Sequence, residues 1–269
     1  MEFAYTDKVE GLRGQIQNFM DAHIVPRIQD WRREVHAGMY PVSFMEELKT
    51  TARQQGLWNL FLPGLKPEEP GTALTNLEYA PLAEIMGRIN WASEPFNCSA
   101  PDTGNMELLH MFATPEQYEQ WLTPLLNGEI RSAFAMTEPD TASSDASNIQ
   151  TRIERDGDHY VINGMKRFIT NGNKADFIQT ICVTDRDKGV RGGISCILVD
   201  ADTPGIEVLR QQETMMDDRP CEIAFTAVRV PVTNIVGAEG DGFKIAQTWI
   251  TFGRIRHGAL GIGVMERCL

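Results

Sequence analysis

The stretch AFAMTEPDTASSD, at residues 133–145, marks the point where the chain changes from helical to strand-like patterning. Its first four residues are apolar, include Phe134 and Met136, and lead into Thr137 and a rigid X-Pro step. Small hydroxyl side chains follow, with backbone N–H groups that can point at a ligand. On these residues alone, two interpretations are open: an ordinary strand ending in a Ser/Thr turn, or a ligand-binding loop.

The sequence before this stretch carries helical patterns and shows no strand-like alternation. Helix starts with capping-box residues are predicted at Asp7, Thr75 and Thr114, each ahead of apolar residues at helical spacing. Pro26 predicts a kink or break in the first helix, because proline removes a backbone donor. We therefore predict an all-α domain over residues 1–130.

The sequence after the stretch predicts short strands. Residues 149–153 and 159–162 alternate between apolar and polar side chains, and DGD at 156–158 predicts a hairpin turn between them. Further short strand-like runs follow as far as Val230. Their spacing favours a compact antiparallel barrel or sandwich over a parallel sheet with crossover helices, and we assign residues 131–236 to this β-barrel domain.

Residues 237–269 begin with a glycine-rich hinge and continue as one helix that is apolar on more than one side. Such a helix needs neighbours on several sides. Since no capping signal follows by Leu269, we expect a chain that is either shortened or completed by another chain. The predicted fold class is α+β, with a helical N-terminal domain, a middle antiparallel β-barrel domain and the start of a C-terminal helical bundle.

Composition excludes several functional classes. The 269 residues include 25 basic and 37 acidic side chains, a net charge of −12 that argues against binding nucleic acid. No apolar run approaches the ~20 residues that span a bilayer, and no secretory signal is recognised, so we expect a cytoplasmic protein. We predict no metal site. The five cysteines lack C-x-x-C spacing and are predicted to be small buried residues: Cys98, Cys182, Cys196, Cys221 and Cys268.

A second candidate ligand-binding segment is NGMKRFITNG at residues 163–172. Phe168 precedes Thr170 by two residues, which would place both side chains on one face of a strand. There the ring could lie along a planar cofactor while the hydroxyl reaches its edge. The alternative is a hairpin strand that buries Phe168 in the core.

Together with EIAFTAVRVPVTNIVGAEGDGFKIAQ at residues 222–247, these segments resemble the acyl-CoA dehydrogenase family in their order and separation. The resemblance covers nearly the whole chain, and its loop is similar to the branch with TEPD-x-ASSD rather than TEP-x-x-GSD. It implies FAD-dependent α,β-dehydrogenation of an acyl-CoA thioester in fatty acid metabolism, with the β-hydride passing to flavin N5. It also implies an electron-transfer flavoprotein as acceptor and an oligomer of identical or different chains.

The resemblance further implies that FAD lies in a cleft between the barrel and the C-terminal helices. Phe134, Met136 and Thr137 would lie along the isoalloxazine, with Thr137 bonding its pyrimidine side. Phe168 would stand beside the flavin, where the family often has Trp, and the Thr170 hydroxyl would approach N5. A phenyl ring keeps the flat apolar wall but lacks the indole N–H donor.

Substrate contacts are implied at two further positions. Ser144 would serve both the flavin pyrophosphate and the thioester arm of CoA. Arg256 matches the family arginine near the CoA end of the tunnel, where it could pair with an anionic ligand. The alternative for Arg256 and its neighbour Arg254 is a solvated helix face.

No catalytic base is identified in the sequence. A minority of the family use a Glu at the position of Ile255, which cannot take a proton, so we expect the base outside this chain and no activity from the chain alone. His257 is interpreted as a surface or interface residue and Glu138 as a residue that fixes its loop. Two other functions stay open: a catalytically incomplete flavin- or CoA-binding subunit that needs a partner chain, and an enzyme similar to acyl-CoA oxidase or nitroalkane oxidase.

Overall fold

A computed structural model describes residues 4–143 and 145–269, and these form two compact units. The first unit joins the residues up to Thr103 to Phe252–Leu269 and is helical. The second unit, Gly104–Thr251, contains all the strands found in the described residues.

The first helix shows how its capping residues and its proline determine local structure. Helix α1 (Asp7–Phe19) is capped by Thr6, whose Oγ1 accepts from the Val9 N–H at 3.4 Å, so the predicted cap at Asp7 is wrong by one residue. Thr6 has the extended backbone that a cap needs, whereas Asp7 lies in the first turn, where its charge suits the helix dipole. The break predicted at Pro26 is confirmed by a π-helical turn and a 3₁₀ turn, Met20–Ile24 and Val25–Arg27.

The other capping predictions are confirmed as complete capping boxes. Thr75 and Thr114 each accept from the backbone N–H three residues on, and Glu78 and Gln117 return the bond. The remaining helices of the chain follow in order: α2 (Ile28–His36), α3 (Met45–Gln54), α4 (Asn76–Gly87), α5 (Asp102–Phe112), α6 (Pro115–Gln117) running through a π-helical turn (Tyr118–Leu122) into α7 (Thr123–Leu126), and α8 (Gly242–Cys268).

In the first unit, α8 packs directly on the backbone of α4. A Cβ added at Gly87 would lie 2.2 Å from the Leu260 carbonyl oxygen, and one added at Gly263 would lie 1.9 Å from the Glu84 carbonyl oxygen. Only glycine permits this approach, since real Cβ atoms do not come that close to backbone.

The second unit is built on a curled sheet of seven strands. Their bounds are β1 (Ser132–Ala135), β2 (Arg152–Asp156), β3 (His159–Ile169), β4 (Phe177–Val183), β5 (Ile194–Asp200), β6 (Ile206–Gln211) and β7 (Cys221–Pro231). The pairing order is β1-β4-β2-β3-β7-β6, and β5 pairs with β4. The sequence thus predicted the architecture correctly: a helical region, a curled sheet and a C-terminal helix.

Strand direction in the sheet is mostly, but not wholly, antiparallel. The β2–β3 hairpin turns at Gly157 with φ 65°, which confirms the DGD prediction. Strand β1 runs parallel to the start of β4, and β2 meets the end of β4, also parallel. These parallel ladders are an addition that local patterns did not predict, because they join segments far apart in the sequence.

The sheet encloses an apolar core that includes Cys182 and Cys221. Cys196 of β5 and Cys98 of the first unit are also buried, as predicted. Cys268 is exposed, so the prediction of burial is wrong for this residue, which lies in the last turn of α8.

Among the described residues, no group of three or more His, Cys, Asp or Glu could hold a metal ion. Within residues 4–143 and 145–269, no helix has both the length and the hydropathy needed to cross a bilayer.

Candidate functional site

The loop that follows β1 is held at both ends by one buried carboxylate, that of Glu138. Its Oε2 accepts from the Gln150 N–H at 2.7 Å, and its Oε1 accepts from the Thr151 N–H at 2.9 Å. Oε1 also accepts from Lys166 Nζ at 3.0 Å. The carboxylate is therefore committed to closing the loop, which is the role that the sequence predicts for it.

Lys166 is the partner of Glu138 and has no exposed surface. Its ammonium also donates to the carbonyl oxygens of Met136 at 2.9 Å and Ile181 at 2.7 Å, so all three of its donors are used. Burial lowers the pKa of Lys166, and the nearby acidic groups oppose that change. Burial alone would raise the pKa of Glu138, but the Lys166 charge and the two loop N–H groups outweigh it and hold that pKa below its usual range.

The end of β1 is joined to β3 through Thr137. The Thr137 carbonyl oxygen accepts from the Arg167 N–H at 2.8 Å, and the Thr137 hydroxyl donates to the Arg167 carbonyl oxygen. Because Phe168 directly follows Arg167, these bonds bring two of the predicted cofactor residues, Thr137 and Phe168, close together in space. Thr137 and Met136 are both partly exposed.

Phe168 has an unusual position for an aromatic residue in a strand. Its side chain is 58% exposed, and its φ of 60° lies in the left-handed region. The pairing of β3 with β7 shifts register between Lys166 and Ile169, which explains the local change of backbone. The interpretation of Phe168 as a core residue is therefore wrong, and its ring is open to solvent next to Arg167, the residue that pairs with Thr137.

The predicted common face of Phe168 and Thr170 is not formed by regular alternation. Strand β3 ends at Ile169, and the irregular register begins before Phe168, so side chains on the two sides of that point do not alternate simply. Thr170 lies partly buried just after the strand. Its neighbour Asn171 donates from Nδ2 to the Ser132 carbonyl oxygen at 3.1 Å, which places Thr170 close to the start of β1.

Phe134 lies partly exposed in β1 and stacks on Trp249 of α8. Trp249 Nε1 donates to Asn105 Oδ1 at 3.1 Å, and Asn105 Nδ2 donates to Ser132 Oγ at 2.8 Å. This chain of contacts holds α8 against β1 within the second unit. One side of the Phe134 ring is thus covered by the indole.

Three residues that organise this site were not predicted from the sequence: Lys166, Trp249 and Asn105. A signal for Lys166 was present, because it has the same strand parity as the buried residues Tyr160 and Ile162. For Trp249 and Asn105 no local signal exists, since they meet across 144 positions of sequence.

Four other positions were singled out in the sequence. Ser144 lies outside the described residues. Arg256 belongs to the first unit, where it is 7% exposed and its guanidinium carbon lies 5.6 Å from the Phe61 ring centroid, so the interpretation of Arg256 as part of a solvated face is wrong. Ile255 is 51% exposed, and His257 is exposed as predicted.

A cavity of about 280 Å³ lies beside the loop, between Pro139–Thr141 and residues 163–165 of β3. Gly164 permits this arrangement, because its φ is 154° and an added Cβ would lie 2.4 Å from Thr151 Oγ1. The cavity is not lined by Thr137 or Phe168. These two residues, at the start of the loop and near the end of β3, can hold a planar group by its edge and flank. The Glu138 carboxylate does not serve as a base here, because its oxygens accept from the Gln150 and Thr151 N–H groups and from Lys166.

Comparison with known proteins identifies two matching domains. The domain described as "Acyl-CoA dehydrogenase, N-terminal domain" matches residues 6–129, and "Acyl-CoA dehydrogenase, middle domain" matches residues 133–228. The first match ends three residues before β1, and the second begins at the second residue of that strand.

A curated relative from Mycobacterium tuberculosis, named probable acyl-CoA dehydrogenase FadE2, is 46% identical over 280 residues, covering 100% of this chain and 67% of the relative. The chain spans only 35% and 25% of the next two curated relatives. A solved structure from Mycobacterium abscessus, described as an acyl-CoA dehydrogenase, is 40% identical with a TM-score of 0.92, covering 98% of this chain and 69% of that one. A structure described as PigA with FAD and proline is 25% identical with a TM-score of 0.84, covering 99% and 67%.

Proposed function

Because the chain belongs to the acyl-CoA dehydrogenase family, we propose that the protein binds FAD and removes the α-proton and β-hydride of an acyl-CoA thioester. The observation that carries this proposal is the pairing of Thr137 with the Arg167–Phe168 segment. It sets a hydroxyl-bearing loop beside an exposed aromatic ring, which suits the edge and flank of a flat ring system.

The residues of this region fit a flavin. Phe168 is exposed in a strained backbone conformation, although a large ring normally gains by burial, and such strain is found at ligand-binding sites. Met136 and Thr137 are only partly buried beside it. The similarity to a structure that contains FAD supports the same assignment.

When bound, FAD supplies the hydride acceptor, and the chain's own residues hold and orient it. We assign Phe134, Met136, Thr137, Phe168 and Thr170 to contacts with the flavin. Thr137 holds the pyrimidine side, Phe168 forms an apolar wall that excludes water, and Thr170 directs its hydroxyl towards N5. Such positioning accounts for much of the acceleration expected of an enzyme that aligns two reactants.

Substrate contacts are assigned to Ser144 and Arg256. Ser144 would bind both the pyrophosphate of FAD and the thioester arm of CoA. The burial of Arg256 against Phe61 favours a guanidinium held in one orientation, as expected for a residue that meets an anionic ligand near the CoA end.

We assign the catalytic base to a carboxylate outside these 269 residues. At position 255, where some relatives have Glu, the side chain is that of isoleucine and cannot accept a proton. This assignment predicts that the chain alone does not turn over acyl-CoA. An electron-transfer flavoprotein is the proposed acceptor, and the proposed assembly is an oligomer of identical or different chains.

The test is anaerobic bleaching of the flavin by a panel of acyl-CoAs of different chain length, in the FAD-loaded chain together with the polypeptide that supplies the base. Reoxidation by an electron-transfer flavoprotein, faster than by oxygen, supports a dehydrogenase; fast reoxidation by oxygen supports an oxidase. Bleaching by no acyl-CoA, or a protein that binds no FAD, contradicts the proposal.

Variants make the assignment of Thr137 specific. Thr137→Val removes the hydroxyl and is expected to weaken FAD binding about tenfold, the size of one hydrogen bond to the cofactor site. Thr226→Val is the matched control, because Thr226 is an exposed residue of β7 outside the assigned contacts, and its FAD affinity should match that of the wild type. Equal FAD affinities for the wild type and both variants would contradict the assignment of Thr137 to the flavin site.

A further inference from the structure

A fully buried cation lies directly behind the peptide that joins Met136 to Thr137. Lys166 Nζ is 2.9 Å from the Met136 carbonyl oxygen, and no part of the Lys166 side chain is exposed. This ammonium is not among the groups assigned to contacts with the flavin. Its position nevertheless connects it to Thr137 through a single peptide group.

That connection follows from peptide geometry. The Met136–Thr137 bond is trans, since the only cis peptides among the described residues precede Pro41 and Pro101. In a planar trans peptide the C=O and the N–H point in opposite directions. Fixing the Met136 oxygen on Lys166 therefore fixes the Thr137 N–H so that it points away from the ammonium.

A cation at the carbonyl oxygen also changes the strength of the donor. It draws electron density towards the oxygen and polarises the peptide, so the N–H at the other end becomes a stronger hydrogen-bond donor. Hydrogen bonds that involve charge are roughly twice as strong as neutral ones, and the dry surroundings of Lys166 preserve the effect.

Glu138 keeps this cation in place. The carboxylate binds Lys166 at 3.0 Å and lies two residues after Met136 in the chain, so the ion pair is anchored to the peptide that it polarises. A buried ion pair is weak evidence of stability alone, because apolar side chains of similar volume often stabilise a protein equally well. Its geometry at Met136 is what points to a role beyond packing.

Resting on the proposed function, we propose that Lys166 is a positioning residue that directs and strengthens the Thr137 N–H as a donor to the flavin. A stronger donor favours the reduced flavin, which carries more electron density, over the oxidised form. The expected signature is a flavin potential that depends on Lys166, whereas a residue with only a structural role changes stability and leaves the potential unchanged.

The test uses Lys166→Met/Glu138→Gln in the whole FAD-loaded protein, because removing both charges leaves no unpaired buried ion. We expect the flavin midpoint potential to become more negative, with binding of reduced FAD weakened about tenfold relative to oxidised FAD, the size of one charged hydrogen bond. Redox-dye equilibration measures the potential. Val230→Ala, at the opposite end of the β3–β7 ladder, is the control: it lowers stability and should leave the potential unchanged.

Glu138→Gln provides a second and independent measurement. It keeps the Lys166 amine beside Met136 and removes the anion that opposes the lowering of its pKa by burial. Measured at acidic pH, where the amine stays protonated, the potential should not become more negative even though stability falls. A potential that falls equally in both variants, or that stays at the wild-type value in the double variant, overturns the inference and leaves the proposed function intact. A wild-type protein that takes up no FAD overturns the proposed function itself.

Discussion

Phe134 and Trp249 lie with their rings nearly parallel, with centroids 4.5 Å apart and an angle of 12° between the planes. The contact joins a strand that carries predicted cofactor residues to the C-terminal helix within the second unit. Stacked aromatic pairs of this kind contribute about 0.5–1.5 kcal/mol beyond the burial of their area. Trp249 is also hydrogen-bonded through Nε1 to Asn105, so its two contributions can be separated by mutation.

Trp249→Phe keeps a ring against Phe134 but leaves Asn105 Oδ1 without the indole donor. We expect a loss of about 1–3 kcal/mol in the free energy of unfolding, the penalty for a buried polar atom that loses its partner. Trp249→Ala removes the ring as well and should cost about 3–5 kcal/mol. Urea unfolding measures both values, and equal losses would show that the stack contributes nothing.

Two glycines of α8 give opposite predictions for the same substitution. Gly263→Ala places a Cβ 1.9 Å from the Glu84 carbonyl oxygen, so α8 must move away from α4 and the protein should lose stability by about 1–3 kcal/mol. Gly261→Ala meets nothing within 4 Å and should gain about 0.5–1 kcal/mol from helix propensity. Thermal unfolding of both variants tests the close approach, and a stabilised Gly263→Ala would contradict it.

The left-handed backbone of Phe168 predicts an unusual order of stability among its variants. Phe168→Gly relieves the strain, while Phe168→Ala keeps it, so the glycine variant should be more stable by about 1–2 kcal/mol. Both variants lack the ring and should lose FAD affinity to a similar extent. Unfolding and flavin titration measure the two effects, and an alanine variant as stable as the glycine variant would be evidence against strain.

Tyr160 predicts a loss of stability at alkaline pH. Burial, followed by the hydrogen bond that its hydroxyl donates to Glu239, raises its pKa from 10.0 to about 12. Since the folded pKa lies above the unfolded one, the stabilisation is complete below pH 10 and is lost as the pH rises through about 12. Tyr160→Phe should lack this loss, as measured by urea unfolding across that range.

Ultraviolet titration of the phenolate gives the control for this prediction. The chain has five tyrosines, and the difference between wild type and Tyr160→Phe isolates one of them. A difference titration with a midpoint near the ordinary tyrosine pKa would contradict the assigned environment.

The features predicted from the sequence are those determined by neighbours along the chain. The capping boxes at Thr75 and Thr114 and the turn at Gly157 each depend on side-chain and backbone groups within four residues, and all three are confirmed. Strand β4 was among the short strand-like runs predicted, and it is buried on both faces although Gln179 and Thr180 are polar.

The features that were not predicted depend on contacts between distant segments. The conformation of Phe168 follows from a register shift against β7, more than fifty residues later, and local alternation contains no information about it. The stack of Phe134 on Trp249 similarly requires the path of α8. The inward position of Lys166 could be predicted from its strand parity. Its role could not, because that role depends on the ion pair with Glu138.

The close approach of Gly87 to Leu260 has a consequence for how the protein is made. The first unit unites the residues up to Thr103 with Phe252–Leu269, so its early helices leave the ribosome long before the segment that covers them. The second unit is contiguous in sequence, so all of its segments have been synthesised before those of the first unit are complete. During translation, the side of α4 that α8 covers therefore stays exposed until Phe252–Leu269 is synthesised. Chaperones that bind apolar surface can bind to it during that time.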